Sequence, residues 1–377
     1  MDTELNVSNS SYKLQRLPLR KNETLRAWDA ADEYLLDYVL ENILLTEASK
    51  IVILNDSFGA LTVALARFNI TAISDSYISQ QATKLNLTKN NLSQQNIVLR
   101  NSLDWPIDSA DLVMIKVPKT MAFFEDQLIR LQSLLQEDTV VIAAGMVKTM
   151  PKTVWKLMEQ YLGPTKPSLA KKKARLIFTS LDKTKKPSTN PYPSHYQLEK
   201  TQYRICNHAN VFSRESLDIG TRFLLRNLPQ NINAETIVDL GCGNGVVGLM
   251  LAEKCSLATI YFVDESYMAV ASAEENFLHA FTDKKAEFCV ADGLVEFEDG
   301  SMDLIVCNPP FHQQNTVGNQ IAISLFVQSK RVLRKGGVLW VIGNRHLGYH
   351  INLRNCFGNC QEIASNKKFV IWKVVNE

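Results

Sequence analysis

Cysteine is missing from the first 205 residues of this chain, and no apolar run approaches the ~18–20 residues that a membrane span requires. The seven cysteines (Cys206, Cys242, Cys255, Cys289, Cys307, Cys356, Cys360) are odd in number within a large protein. That argues against a disulfide framework and for a reducing compartment. Cys356 and Cys360 have no second pair at metal-ligand spacing. His346 and His350 lack the glutamate of a zinc-helix motif and have Gly348 between them, so no metal is expected. The opening Met1-Asp2-Thr3-Glu4 has neither a basic n-region nor an apolar h-region, which points to a cytoplasmic protein without a secretory leader. A charge excess is absent too: 41 basic against 39 acidic side chains leave +2, which names no partner. These gaps speak against a membrane protein and a secreted precursor. With 46% hydrophobic residues, a disordered chain is also excluded.

What is present is a long repeat. The stretch Ile51-Val-Ile-Leu-Asn-Asp-Ser-Phe-Gly59, followed by apolar residues at helical spacing, matches Ile237-Val-Asp-Leu-Gly-Cys-Gly-Asn-Gly245. Asp75-Ser76-Tyr77 matches Glu265-Ser266-Tyr267, and Asp111-Leu-Val-Met-Ile-Lys-Val-Pro118 matches Asp303-Leu-Ile-Val-Cys-Asn-Pro-Pro310. Late strands correspond as well, Lys173–Phe178 with Lys368–Trp372. The offsets of 186, 190 and 192 residues drift only by loop-sized amounts, so the chain reads as a tandem duplication. The Pro-rich stretch 183–193 lacks apolar periodicity and reads as a connector. Domains are placed at 1–183 and 194–377, with 184–193 as linker. Strands alternating with helices predict a mostly parallel, doubly covered α/β sheet in each half. Ligands in such sheets bind beyond the carboxyl ends of the strands.

In the second half, Asp239-Leu-Gly241-Cys-Gly243-Asn-Gly245 places three glycines after a strand, ahead of a helix predicted to start near Val246. A dinucleotide fingerprint would need glycine at 246, which is Val, and the Gly-Lys-Ser/Thr of a phosphate loop is absent. Asp264 ends the next predicted strand, Asp292 another, and Asn308-Pro309-Pro310-Phe311 follows a fourth. Taken together, these motifs resemble the class I S-adenosylmethionine (SAM)-dependent methyltransferases. The resemblance implies a tandem pair of Rossmann-like methyltransferase domains, the first degenerate and the second with a seven-stranded sheet. It also implies cofactor binding by Asp239, Gly241, Gly243, Gly245, Asp264 and Asp292. In that family the acid at Asp264 takes the ribose hydroxyls and the acid at Asp292 the adenine amine. Leu333–Ile342 resembles the turn and antiparallel strand that finish the fold.

Asn308-Pro309-Pro310-Phe311 is similar to the catalytic motif of methyltransferases that modify planar nitrogens. An exocyclic amine conjugated with a ring is a weak nucleophile. The Asn308 carboxamide oxygen and the Pro309 carbonyl can each accept one of its N–H groups and orient its lone pair. Proline keeps the loop rigid, and Phe311 can stack on an extruded base. The motif alone leaves guanine N2, adenine N6, cytosine N4 and a glutamine amide open; a non-catalytic RNA-binding protein is the other alternative.

Longer stretches narrow the choice. Trp28–Leu36, Leu54–Ala60, Ile115–Thr120, Asn207–Ser213, Asn308–Gln314 and Asn344-Arg-His346 resemble the bacterial ribosomal RNA guanine-N2 methyltransferases of the RlmG/RsmC type, in its large-subunit branch. That resemblance implies methylation of a guanine in 23S ribosomal RNA. In the first copy Asn55, Ser57 and Gly59 stand for the three glycines, Phe58 is expected to fill the cleft, and Lys116-Val-Pro-Lys119 replaces the Asn-Pro-Pro-Phe motif. No cofactor is expected there. A basic cluster, Lys166, Lys171, Lys172, Lys173, Arg175, Lys183, Lys185 and Lys186, fits phosphate contacts, and Lys116 and Lys119 would extend the track. Residues 1–200 carry +4 and residues 201–377 carry −2. The protein is expected to work as a monomer. Phe212, Leu217, Ile219 and Phe223 suggest an apolar face ahead of the second glycine loop. Asn344, Arg345 and His346 are further candidates for RNA contact.

Overall fold

The computed structural model describes residues 3–8, 10–19, 23–105, 109–185, 187–230, 233–309 and 316–377, the side chains of 316–319 excepted. The chain divides into two units, Met1–Tyr192 and Pro193–Glu377. Most of the predicted connector belongs to the first: Ser188 N–H donates to Gln132 Oε1 (2.9 Å) and the Tyr192 hydroxyl to Glu125 Oε2 (2.7 Å).

The first unit begins with a two-stranded antiparallel ribbon, β1 (Glu4–Val7) and β2 (Ser10–Lys13), then α1 (Ala30–Asn42). Its sheet is built from β3 (Lys50–Leu54), β4 (Asn69–Ser74), β5 (Ile97–Asn101), β6 (Leu112–Lys116), β7 (Val140–Met146), β8 (Thr165–Pro167) and β9 (Ala174–Thr179). The order is β5-β4-β3-β6-β7-β9-β8, and all strands run the same way except β9, which is antiparallel to both β7 and β8. The helices α2 (Ala60–Ala64), α3 (Tyr77–Lys89), α4 (Met121–Leu131) and α5 (Thr153–Tyr161) make the crossovers.

The second unit repeats this plan: a ribbon of β10 (Ser194–Gln197) and β11 (Arg204–Asn207), then α6 (Ile219–Arg226). Its strands are β12 (Thr236–Leu240), β13 (Thr259–Asp264), β14 (Ala286–Val290), β15 (Met302–Cys307), β16 (Leu333–Asn344), β17 (Gln361–Ser365) and β18 (Phe369–Val375). The helices are α7 (Val246–Lys254), α8 (Tyr267–Ala280), α9 (Thr316–Val332) and α10 (Tyr349–Phe357). The order β14-β13-β12-β15-β16-β18-β17 is that of the first unit. Strands covered on both faces can be apolar throughout, and the six residues of β15 are all buried.

The expectation of a Rossmann-like pair is met, and both sheets have seven strands. One detail differs. β16, predicted antiparallel, runs parallel to β15, because α9 carries the chain back to the starting end of the sheet. The antiparallel strand is β18, opposite β16.

Side-chain pins recur with the fold. Asn276 on α8 donates to the carbonyls of Asn244 and Cys206 (2.9 Å each), and Asn86 on α3 donates to those of Phe58 (2.8 Å) and Gln15 (2.9 Å). Each asparagine thus ties the loop after the first sheet strand to the ribbon segment. Ser266 and Ser76 cap α8 and α3 in the same way, each accepting a backbone N–H at 3.1 Å.

Candidate functional site

In both units the strand order reverses between the first and fourth sheet strands. In such sheets the ligand cleft lies at that switch point, beyond the carboxyl ends of the strands. In the second unit the β12–α7 loop lines one side. Gly241, Gly243 and Gly245 have φ of +74°, +54° and +77°, the left-handed region that glycine tolerates without strain. Their surroundings differ. A methyl group built on Gly245 would lie 2.7 Å from Ala273 Cβ, so this glycine permits α7 to pack on α8. On Gly243 it would meet no described residue within 4 Å. Gly243 is where the backbone borders open space.

Asp239 is 3% exposed, and its Oδ2 accepts the Gly248 N–H at 2.7 Å. Burial, only partly offset by that bond, pushes its carboxyl up to about 8. It anchors the first turn of α7 from beneath. Asp264, half-buried at the end of β13, accepts from Gly243 N (3.0 Å, Oδ2) and Ser266 N (3.0 Å, Oδ1). Asp292 lies just past β14; its carboxyl is half-buried, and desolvation raises it above the usual range.

The other side of the cleft begins at Asn308. A methyl group on Gly241 would lie 3.7 Å from the Asn308 carbonyl oxygen, so the two loops face one another closely. Asn308 Nδ2 donates to Thr221 Oγ1 at 3.1 Å. Its Oδ1 is buried with no hydrogen-bond partner among the described residues. A buried amide oxygen without a donor is costly, and such an atom marks a place where a ligand donor fits. Pro309 is buried beside it; Pro310 and Phe311 lie outside the described residues. At the end of the neighbouring β16, Asn344 Oδ1 is likewise buried and unpartnered. Arg345 and His346 are exposed, with Arg345 donating to the Asn366 carbonyl (2.9 Å). The apolar face expected around 212–223 is only half present: Leu217 is buried, while Phe212 is 52% and Ile219 60% exposed.

Sequence reasoning missed Asp218 and Thr221, at the start of α6. Asp218 caps that helix, its Oδ2 accepting Thr221 N–H at 2.9 Å and the Thr221 hydroxyl at 3.5 Å. An acid three residues before a cap-compatible position is a legible helix start, but its link to a loop 87 residues later is not.

The equivalent cleft of the first unit is closed from within. Asn55 keeps the left-handed φ of its glycine counterpart (+65°), and its side chain pairs with Gln127 through two bonds of 2.8 and 2.9 Å. Its Nδ2 also reaches the Lys116 carbonyl (2.9 Å). Asn55, and not Phe58, therefore fills the cleft; Phe58 sits under the Arg16 guanidinium, 4.5 Å from its ring centre. Lys116, expected to contact RNA, is a correction. Its side chain is only 13% exposed, and Nζ is bound by Asp29 (2.7 Å) and Asp32 (2.8 Å). Burial alone would lower its ammonium, but the two carboxylates outweigh that and raise it. Lys171 and Lys172 are paired at the surface with Asp37 (2.9 Å) and Glu33 (2.7 Å), and Lys183 with Glu137 (2.9 Å). Lys119 and Lys173 are exposed; Lys186 lies outside the described residues.

Away from the cleft, ligand-type atoms of His195, Cys206 and Glu275 lie within 4.8 Å of one another. Burial and a hydrogen bond with Glu275 push the Cys206 thiol up to about 12, which disfavours the thiolate that a metal would need. Among the described residues no helix is long and apolar enough to cross a membrane.

Two family models divide the chain as the structure does. An RLMG N-terminal domain matches residues 2–183 and a methyltransferase small domain residues 202–373. A ribosomal RNA large subunit methyltransferase G from Psychromonas ingrahamii is 45% identical over 381 residues, covering 100% of this chain and 99% of that protein. Its counterpart from Stutzerimonas stutzeri is 46% identical, covering 98% and 99%. The chain belongs to the ribosomal RNA large subunit methyltransferase G family. A solved member of the wider fold class is the T. thermophilus 16S rRNA N2 G1207 methyltransferase (RsmC) in complex with AdoMet and guanosine. It is 19% identical over 100% of this chain and 98% of that one, with a TM-score of 0.78, which establishes the shared two-unit architecture.

Proposed function

We propose that the second unit transfers a methyl group from SAM to the exocyclic N2 of a guanine in large-subunit ribosomal RNA, and that the first unit binds the RNA without binding cofactor. The observation that carries this reading is the unpartnered Asn308 Oδ1, buried at the switch point beside Gly241. The residues present fit the cofactor. Gly243 borders open space, and Asp264 and Asp292 stand at successive strand ends, where acceptor-only carboxylates suit a ribose diol and an adenine amine. Asp239 acts indirectly, by holding the loop.

When bound, SAM supplies an electrophilic methyl with a neutral thioether as its leaving group. The chain's own residues then need only hold the nucleophile. Asn308 Oδ1 and the Pro309 carbonyl accept the two amine N–H groups, turn the lone pair toward the methyl and stabilise the positive charge that grows on nitrogen. The product ammonium gives its proton to solvent. Phe311 is assigned to stacking on the base. Asn344 favours guanine over adenine: a second acceptor at the same sheet end suits a ring N–H beside the amine, which guanine has and adenine lacks. Lys119, Lys173, Lys166 and Arg175 are proposed as phosphate contacts, and Lys171 and Lys172 would join only by leaving their acids.

The test is nucleoside mass spectrometry of large-subunit RNA from cells lacking the gene, after incubation with SAM and protein. Wild-type chain is expected to add one N2-methylguanosine per RNA, and Asn308→Ala to add none while binding SAM normally. Methylated adenosine or a methylated protein amide would replace the guanine assignment, and an active Asn308→Ala would remove the catalytic one.

A further inference from the structure

The Asn308 carboxamide has two ends, and only one orientation presents an acceptor to an amine. We propose that Asp218 and Thr221 are positioning residues that fix this orientation through a directional hydrogen-bond relay; the proposal rests on the reading of Asn308 given above. The direction follows from what each group can do. Asp218 carboxylate oxygens only accept. Its Oδ2 takes the Thr221 N–H and faces the Thr221 hydroxyl, which is left to donate to it (2.9 and 3.5 Å). With its one proton so committed, Thr221 Oγ1 offers only lone pairs to Asn308, and the amide answers with Nδ2 at 3.1 Å. Oδ1 must then face the other way, where it is buried and has no partner among the described residues. A flipped amide would set oxygen against oxygen at Thr221. The site therefore selects a donor, an amine, and disfavours a carbonyl in the same place.

The first unit shows that the relay occupies a recurrent place in the fold. Asp29 caps α1 as Asp218 caps α6, the position three residues on is Asp32 in one and Thr221 in the other, and the fourth-strand partner is Lys116 in one and Asn308 in the other. There both acids pair with the Lys116 ammonium, a group that can only donate, so the position held by Asn308 in the second unit presents no side-chain acceptor. The same three-point clamp has thus been filled in two ways, closed by charge in the first unit and aimed at the cleft in the second. Gly220 belongs to this arrangement. A methyl group there would lie 3.0 Å from Asp218 Oδ2 and 3.1 Å from the Phe369 ring, so a larger residue would press on the capping carboxylate and on β18.

The test compares Thr221→Val, similar in shape but unable to accept, with Thr221→Ser, which restores the hydroxyl, both in the full-length chain acting on unmodified large-subunit RNA. Thr221→Val is expected to lower kcat roughly 10- to 100-fold, the scale of a misplaced reacting group, with SAM affinity and KM for RNA within about twofold. Thr221→Ser should recover most of that loss. Thermal unfolding of both variants distinguishes a misaimed amide from an unfolded chain. An unchanged kcat in Thr221→Val, beside an inactive Asn308→Ala, would overturn the relay while leaving the Asn308 assignment intact. An equal loss in the Ser and Val variants would also overturn it. Activity surviving in Asn308→Ala would instead remove the reading on which the relay depends.

Discussion

Gly243 and Gly245 stand two residues apart in one loop, share a left-handed backbone, and serve different ends. Placing alanine at 245 adds a clash with Ala273 to the backbone strain. It is expected to destabilise the second unit by about 2–4 kcal/mol in a denaturation experiment. Alanine at 243 meets no neighbour, so it should cost only about 1–2 kcal/mol of stability. Its main effect should fall on SAM affinity, read by calorimetry. Equal stability losses would show that the loop is packed uniformly. Asp239 makes a pH-dependent prediction. Its folded carboxyl is pushed up to about 8, so the native state holds a proton that the unfolded chain has released above about pH 4. Native stability therefore declines as pH rises from about 4 to about 8 and levels off beyond. An Asp239→Asn variant keeps an acceptor for Gly248 and lacks this titration. Relative to it, the parent should lose up to ~1.4 kcal/mol per pH unit across that window. Parallel stability curves for the two proteins would contradict the buried-proton account.

Among the elements, the asparagine pins on α3 and α8 offer a matched pair of measurements. Each is buried and bonds the loop and the ribbon segment of its own unit. Truncation to alanine strands buried carbonyls, at a cost of about 1–3 kcal/mol. Asn276→Ala should also weaken SAM binding, because the glycine loop loosens, whereas Asn86→Ala should leave SAM binding unchanged. Weaker binding in the Asn86 variant would indicate that the first unit contributes to the cofactor site. What could be read from the chain alone follows the same division between local and tertiary effects. The glycine loop, the strand-end acids and the repeat were legible because each is a pattern within a few residues of a strand terminus. The burial of Lys116 was not, because it depends on two acids more than 80 residues earlier at a helix cap. Nor was the Asn55–Gln127 plug, whose partners lie 72 residues apart. Leu333–Ile342 misled for a different reason: a run of β-formers does not record the direction in which α9 returns the chain. The Asp218–Thr221–Asn308 relay was invisible because its residue types are those of an ordinary helix start.

The molecule as a whole is one architecture written twice with opposite outcomes at the switch point. Both units keep the seven-strand order, the entry ribbon, the capping serines and the asparagine pin. They diverge where a ligand would sit: Asn55 and Lys116 satisfy one another's surroundings in the first unit, while Gly243 and Asn308 leave space and an unanswered acceptor in the second. The near-neutral total charge conceals this division, with the excess of basic groups in the first half. The stoichiometry of SAM binding to the full-length chain, measured by titration calorimetry alongside Asp264→Ala, tests the asymmetry most directly. One equivalent per chain, lost in the Asp264 variant, is the expected result. Two equivalents, or one that survives Asp264→Ala, would contradict it.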